Sequence, residues 1–348
     1  MIQATGEGVE TTATANDWRA LADRVLDGHR LTEAEGLAIL RSSDDELLDL
    51  MAAAYRVRRR YWRNSVQLYF LMNAKSGLCP EDCSYCSQSK VSTAEIPRYN
   101  LLSRDKILDG ARIAAERNAK TYCIVISARS PNEREMQAVE TLVPQIKAQY
   151  DLDVCACLGL LDADQARRLK ACGVDTVNHN LNTSEEHYGE ICTTHSYQDR
   201  VETLKAVRAA GLKLCSGGII GMGEEDRDVV QMAFALRELK VESIPLNFLN
   251  PIEGTPLAGN RQLNPRYCLK ALALYRLANP TSEIRIAGGR ELHLGSLQCL
   301  GLYAANSIFV GDYLTTKGQA PEADYRLIEE MGFEVTFSEE VSCGKKPE

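Results

Sequence analysis

From residue 67 onward, short apolar runs of strand length alternate with longer stretches of helical spacing, and this alternation restricts the fold most. The strand-length runs lie at about 67–73, 121–127, 153–158, 174–178, 213–220, 242–249, 283–287 and 306–310. Strands that alternate with helices build a parallel sheet. We therefore predict an α/β fold, a (β/α)8 TIM-type barrel, because closure leaves no exposed sheet edge. An open, doubly wound sheet is the alternative.

Local signals divide the rest of the chain. We predict a disordered N-terminus at 1–15, an N-terminal helical extension at 16–66, the barrel domain at 67–335 and a C-terminal tail at 336–348. Thr32 with Glu35 forms a capping box that starts a helix, and Asp162 with Gln165 forms a cap of the same kind. The arginine-rich segment 56–63 is interpreted as a solvated helix face, with a docking surface for an acidic partner as the alternative.

The charge and composition of the chain argue against some classes of binding partner and indicate its cellular compartment. The chain carries 40 basic and 48 acidic residues, a net charge of −8, which argues against nucleic acid or an anionic membrane as the main partner. The N-terminal residues lack the apolar segment of a signal peptide, and no apolar stretch is long enough to span a membrane. We expect a cytoplasmic protein, in which clustered thiols more often bind metal than form disulfides.

Three of the 12 cysteines form a compact motif. Cys79, Cys83 and Cys86 have the spacing C-x3-C-x2-C in the loop after the first predicted strand, at the end of a barrel that carries active sites. Such a loop can supply three thiolates to an iron–sulfur cluster and leave one iron open. A structural zinc site needs a fourth ligand, and no further histidine or cysteine lies within thirty residues of Cys86.

This motif resembles the radical S-adenosylmethionine (SAM) superfamily, and the surrounding residues 79–89 resemble the biotin synthase family within it more closely. Further matching segments follow in order at 122–124, 154–159, 178–184, 215–224, 254–257, 284–291 and 305–309. Each later segment alone is weak evidence for the resemblance, but all of them together, in this order, are specific evidence for it.

The resemblance implies a function and two clusters. Cys79, Cys83 and Cys86 would hold a 4Fe–4S cluster that binds SAM and cleaves it to methionine and a 5′-deoxyadenosyl radical. The radical would act on dethiobiotin, and a 2Fe–2S cluster would donate the sulfur that completes biotin. The family's ligands of the second cluster match Cys123, Cys155, Cys215 and Arg285. A flavodoxin- or ferredoxin-like electron donor and a homodimer are also implied.

The positions of these four residues also indicate a shared site without use of the resemblance. They fall in four different predicted strands, the second, third, fifth and seventh, so one side chain from each can converge in a barrel lumen. A buried arginine would need an anionic partner there, and a thiolate-bound cluster is anionic. Each cysteine considered alone is better interpreted as a small buried apolar residue, and only the set together favours a cluster.

The remaining site residues also come from the resemblance. The SAM contacts would be Tyr85, Asn182, Arg200, Gly218, Ile219 and Gly221, and the dethiobiotin contacts would be Asn180 and Asn247. Asn182 stands where many family members have aspartate, and Arg200 has an alternative interpretation as an exposed residue at a helix start. His179 is expected to be a packed structural residue, and no side chain is expected to act as a catalytic acid or base.

Two other functions are compatible with these observations. The first is a radical SAM barrel enzyme that acts on a different small molecule without sulfur insertion, which would not need the second cysteine set. The second is a non-catalytic iron–sulfur or zinc-binding regulator.

Overall fold

The structure is a computed structural model that describes residues 16–260 and 263–336. In this part of the chain ten strands form one sheet, and all their pairings are parallel. Their bounds are β1 (Ser65–Lys75), β2 (Thr121–Ile126), β3 (Asp153–Cys157), β4 (Thr176–Asn178), β5 (Lys213–Cys215), β6 (Gly218–Ile220), β7 (Ser243–Phe248), β8 (Glu283–Ile286), β9 (Ser307–Phe309) and β10 (Glu334–Val335).

Pairing between the first and last barrel strands closes the sheet. Gln67 of β1 lies opposite Ser307 of β9, and Tyr69 lies opposite Phe309. The sheet order runs from β1 through β5 to β7, β8 and β9, with β6 beside β7. The barrel prediction is therefore confirmed, and the open-sheet alternative is wrong.

The fifth predicted strand, 213–220, is not continuous. It is divided into β5 and β6 at Ser216 and Gly217. A Cβ atom on Gly217 would lie 1.8 Å from the Pro245 carbonyl oxygen, so only glycine permits this close approach to β7. The short strand β10, which pairs with the start of β1, was not predicted.

Helices connect the strands and precede them. They are α1 (Trp18–Leu26), α2 (Glu33–Leu40), α3 (Leu47–Trp62), α4 (Arg104–Glu116), α5 (Glu133–Gln149), α6 (Ala163–Ala171), α7 (Tyr188–Ile191), α8 (Tyr197–Ala209), α9 (Asp226–Glu238), α10 (Pro265–Ala278), α11 (Arg290–Leu294), α12 (Gln298–Gly301) and α13 (Pro321–Glu330). Both predicted capping boxes are present, at the starts of α2 and α6. No helix in the described ranges is long and apolar enough to cross a membrane.

The helices that precede the barrel cover its outer layer. Both α2 and α3 pack against α10, and α1 packs against α3. The side chains of α10 from Cys268 to Ala278 are all buried, as expected for a helix that is covered on every side. The predicted domain boundaries remain predictions. Residues 1–15, which we expect to be disordered, lie outside the described residues.

Within the arginine-rich segment, Arg58 contradicts the prediction of a solvated face. Its side chain is 0% exposed and donates hydrogen bonds to the carbonyl oxygens of Ala305, Arg63 and Ser65. The guanidinium also lies 4.4 Å from the centre of the Phe333 ring. Burial lowers its pKa to about 10, so the group remains charged at neutral pH. Arg58 therefore joins α3 to the barrel wall.

We predict that Arg58→Met lowers the free energy of unfolding by about 3–5 kcal/mol, because three carbonyl oxygens, those of Ala305 and Ser65 in fully buried contacts, lose their donor. Arg59→Met is the matched control, since Arg59 is exposed and its loss should change stability by less than about 0.5 kcal/mol. Denaturant unfolding of the two variants measures the difference, and equal midpoints would contradict the anchoring role.

Candidate active site

A cavity of about 390 Å³ occupies the lumen at the carboxyl ends of the barrel strands. Most of the predicted site residues line it: Cys79, Cys83, Tyr85, Cys86, Cys123, Cys155, Asn180, Asn182, Arg200, Cys215, Ile219, Asn247 and Arg285. Gly218 and Gly221 are not among its lining residues. A larger cavity of about 780 Å³ lies at the amino ends of the strands and is lined by none of the predicted site residues. The chemistry-bearing residues thus gather at the end of the barrel where active sites lie.

The loop with the three-cysteine motif follows β1 and is braced by its own acidic residues. Asp82 accepts hydrogen bonds from the backbone N–H groups of Thr193 (3.0 Å) and Thr194 (3.2 Å). Burial alone would raise the pKa of Asp82, but the hydrogen bonds from Thr193 outweigh it and hold that pKa well below its usual range. Glu81 contacts His195 and Arg129. The acidic pair between the cysteines therefore orients the loop.

The second predicted set converges deep in the lumen. Cys123 of β2 and Cys155 of β3 lie directly opposite each other in the strand register. Cys215 of β5 accepts a hydrogen bond from Asn178 Nδ2 at 3.2 Å, and Arg285 Nη1 of β8 lies 3.7 Å from its Sγ. All four predicted residues are at most 3% exposed. A hydrogen bond with Cys155 and burial raise the pKa of Cys215, so this thiol stays protonated unless a metal ion binds.

Arg285 has an anionic partner within the protein, which corrects part of the sequence argument. Its Nη2 donates to Glu283 Oε1 and to Ser243 Oγ, each at 2.6 Å, and its Nε donates to Ser307 Oγ at 3.0 Å. The guanidinium carbon lies 3.2 Å from the centre of the Tyr69 ring, and Tyr69 Oη donates to Glu283 at 3.0 Å. Neutralising Arg285 therefore does not require a cluster.

Sequence reasoning missed Glu283, although a signal was present. Residues two apart on a strand face the same side, so a glutamate at position 283 had to share the lumen with Arg285.

Arg200 lies inside the site, so its interpretation as an exposed residue at a helix start is wrong. Its Nη1 donates to the Asn180 carbonyl oxygen at 2.9 Å, and its Nη2 donates to His195 Nε2 at 2.7 Å. Its Nε donates to the Tyr188 hydroxyl. One N–H on each terminal nitrogen remains for an anionic ligand.

Asn182 has a structural reason to be asparagine. Its φ is +73°, in the left-handed region that asparagine tolerates better than most residues. Its Nδ2 donates to the Tyr85 hydroxyl at 2.6 Å. An aspartate could only accept from that hydroxyl, so asparagine reverses the direction of the bond and leaves the tyrosine proton free.

The two other asparagines are partly engaged by the backbone. Asn247 donates to the Gly218 carbonyl oxygen at 3.1 Å and accepts from the Gly288 N–H at 2.9 Å. The side-chain oxygen of Asn180 accepts from Asn178 and from the Gly217 N–H. Each amide therefore presents its remaining N–H groups to the cavity.

The two predicted glycine contacts have conformational roles. A Cβ on Gly218 would lie 2.9 Å from the backbone oxygen of Asn182 and 2.0 Å from Met232 Sδ, so a side chain there would displace the methionine and crowd the backbone. Gly221 has a φ of +99°, and its N–H donates to Glu224 at 2.6 Å. Their part in SAM binding stays a prediction.

His179 differs from the expected hydrogen-bonded structural residue. It lines the cavity and is buried, but its Nε2 has no hydrogen-bond partner among the described residues. Burial lowers its pKa well below the usual value, so the ring is neutral. An unpartnered buried nitrogen on the cavity wall fits a polar ligand.

Cys192 and His195, to which the sequence assigned no role, lie against the motif. Cys192 Sγ is 3.7 Å from Cys83 Sγ and 3.3 Å from His195 Nδ1. The hydrogen bond with Cys83 is the largest of the contributions that lower the pKa of Cys192 to about 4. The only available signal was the Cys-x-x-His spacing, which lies far from the motif in the sequence.

Two family models match most of the chain. The model of the Radical SAM superfamily matches residues 75–236, and that of the Biotin and Thiamin Synthesis associated domain matches residues 245–334. A biotin synthase of Rhodopirellula baltica is 65% identical over 93% of this chain and 90% of its own length. A biotin synthase of Anoxybacillus flavithermus is 57% identical over 92% of this chain and 98% of its own length. The chain belongs to the biotin synthase family.

Solved structures share the fold of this biotin synthase family member. A methylornithine synthase has a TM-score of 0.80 at 21% identity, covering 91% of this chain and 97% of its own. A FeFe-hydrogenase maturase of Carboxydothermus hydrogenoformans has a TM-score of 0.79 at 17% identity, covering 93% of this chain and 80% of its own. At these identities both likenesses show a shared fold alone. The first family model contains all six predicted cysteine ligands, whereas Arg285 lies in the second.

We predict that Glu283→Gln lowers the free energy of unfolding of the cluster-free protein by about 3–5 kcal/mol, because it leaves Arg285 buried without a neutralising charge. Glu116→Gln is the control: that carboxylate pairs with Arg112 at the surface and should contribute less than about 1 kcal/mol. Denaturant titrations compare the two variants. An effect of Glu283→Gln no larger than that of the control would refute the charge argument.

Proposed function

We propose that this chain is a radical SAM sulfurtransferase that converts dethiobiotin to biotin. The observation that carries the proposal is the presence of two separate cysteine sets in one cavity, in a member of the biotin synthase family. Cys79, Cys83 and Cys86 come from a single loop, whereas the second set comes from four strands.

The loop thiols suit a 4Fe–4S cluster. All three are free, and they lie at the cavity wall rather than in a closed knot. When bound, this cluster supplies the electron that cleaves SAM. The chain's own part is to leave one iron without a protein ligand and to keep the loop fixed through Asp82 and the backbone of Thr193 and Thr194.

The lumen set suits a 2Fe–2S cluster. Its donors are Cys123, Cys155, Cys215 and Arg285, and when bound this cluster supplies the sulfur atom of biotin. Arg285 is held in a fixed orientation by Glu283 and Ser243, so its Nη1 faces Cys215 without rearrangement. Preorganisation of this kind lowers the cost of binding.

The remaining residues orient the two small molecules. The free N–H groups of Arg200 fit the SAM carboxylate, and Asn182 with Tyr85 lies beside it to receive the nucleoside, with the Gly218, Ile219 and Gly221 segment next to it. Asn180, Asn247 and the unpartnered His179 offer donors and acceptors of the kind that a ureido ring needs. A flavodoxin- or ferredoxin-like donor, a homodimer and a cytoplasmic location belong to the same proposal.

Anaerobic reconstitution with iron and sulfide, followed by SAM, a low-potential reductant and dethiobiotin, tests the function. Biotin and 5′-deoxyadenosine are both expected. If deoxyadenosine forms and dethiobiotin remains unchanged, the other hypothesis, a radical SAM enzyme without sulfur insertion, replaces this one.

We predict that Cys83→Ala abolishes SAM cleavage, because two thiolates do not hold the cluster. Cys299→Ala, at a partly exposed thiol outside the cavity lining, should retain it. Deoxyadenosine is measured by chromatography after a single reduction. If Cys83→Ala still cleaves SAM, Cys83 is not a ligand of the 4Fe–4S cluster.

For Arg285→Lys we predict an unchanged 4Fe–4S absorption and unchanged deoxyadenosine formation, with loss of 2Fe–2S content, because lysine cannot reproduce the guanidinium contacts with Ser243 and Ser307. Iron analysis and visible absorption separate the two clusters. Loss of the 4Fe–4S signal would show that Arg285 does not belong to a separate site.

A further inference from the structure

Three side chains beside the motif form a compact set of soft ligands. Cys83 Sγ, Cys192 Sγ and a ring nitrogen of His195 all lie within 4.8 Å of one another, and all three residues are buried. The two sulfur atoms are 3.7 Å apart, and Cys192 Sγ is 3.3 Å from His195 Nδ1.

Two of these separations, those of Cys192 Sγ from Cys83 Sγ and from His195 Nδ1, match the ligand shell of one tetrahedral zinc ion. With Zn–S near 2.3 Å and Zn–N near 2.05 Å, tetrahedral angles place two sulfur ligands about 3.8 Å apart, and a sulfur and a nitrogen ligand about 3.6 Å apart. The observed distances differ from these values by about 0.1 and 0.3 Å. The third separation, between Cys83 Sγ and the His195 ring nitrogen, is at most 4.8 Å, so the ligand side chains must close on the ion when it binds.

We propose that the cluster-free protein binds one zinc ion through Cys83, Cys192 and His195, and that this ion excludes the 4Fe–4S cluster because Cys83 serves both sites. Zinc binding itself does not depend on the proposed function; the exclusion of the cluster does.

The surroundings favour a cation. Asp82 Oδ1 lies 3.3 Å from Cys192 Sγ, and Glu81 contacts His195 Nδ1. The cavity is lined by both Cys83 and His195, so a water molecule can complete the tetrahedron as the fourth ligand.

Zinc binding moves the ring proton of His195 and releases any thiol protons. Arg200 donates to His195 Nε2, so Nδ1 carries the ring proton in the metal-free protein. A zinc ion at Nδ1 requires that proton to move to Nε2, and Glu81 then loses the hydrogen bond from Nδ1 but keeps those from Thr194 and Arg129. Arg200 then releases the ring and retains its bonds to Tyr188 and the Asn180 carbonyl oxygen. Any proton still carried by the two thiols is released to solvent, because the thiolate is the ligand.

The first test measures zinc affinity of the cluster-free protein under reducing, anaerobic conditions, by competition with a chromophoric chelator. Co²⁺ serves as a spectroscopic probe of tetrahedral thiolate ligation. Wild type should bind one equivalent. Loss of a residue that only supports a metal ligand lowers metal affinity roughly 10–100-fold. Cys192 is itself a ligand, so Cys192→Ser should lower the zinc affinity at least about 100-fold. The matched control is Cys172→Ser, because the Cys172 thiol is half-buried and hydrogen-bonded to the Leu169 carbonyl oxygen. The zinc affinity of this control should stay within about twofold of wild type. Equal affinity in wild type and Cys192→Ser would overturn the site.

The second test adds one equivalent of zinc before reconstitution with iron and sulfide, and measures 4Fe–4S absorption. Zinc should suppress cluster formation in wild type but not in Cys192→Ser, which retains all three motif cysteines. Equal suppression in both would overturn the exclusion. If neither protein forms a cluster without zinc, the proposed function fails, while the affinity measurement still decides the zinc site.

Discussion

The parallel pairing of β1 with β9 is the contact on which the candidate site depends. It converts a row of strands into a closed wall, so that side chains from β2, β3, β5 and β8 point into one lumen. An open sheet would leave β1 and β9 as edges, and Arg285 would lie far from Cys123. Closure also places the loop after β1 above the same lumen, which brings the two cysteine sets into one cavity.

Charge is balanced locally around each cysteine set. Glu283 neutralises Arg285 below the lumen cysteines, and Asp82 with Glu81 ties the motif loop to the segment 192–195. All of these contacts join protein groups, and none of them requires an atom of a cluster. The same bracing brings Cys192 and His195 to Cys83, which creates a ligand set that competes with the motif.

Much of the fold followed from periodicity. The eight apolar runs, the caps at Thr32 and Asp162 and the cysteine spacing are local patterns, and each reflects a local physical preference. The break at Gly217 and the burial of Arg58 did not follow, because each depends on a distant partner: the carbonyl oxygen of Pro245 and that of Ala305. No window of sequence contains both members of these contacts.

The sequence by itself determined the barrel, the family and the residue types that can hold iron and sulfur, since all of these are written in spacing and order along the chain. Only the tertiary structure decided which charges neutralise one another and which thiols become neighbours. Glu81 beside Arg129 and Cys192 beside Cys83 are products of barrel closure and loop contacts, and such contacts arise between residues whose separation along the chain has no relation to their distance in space.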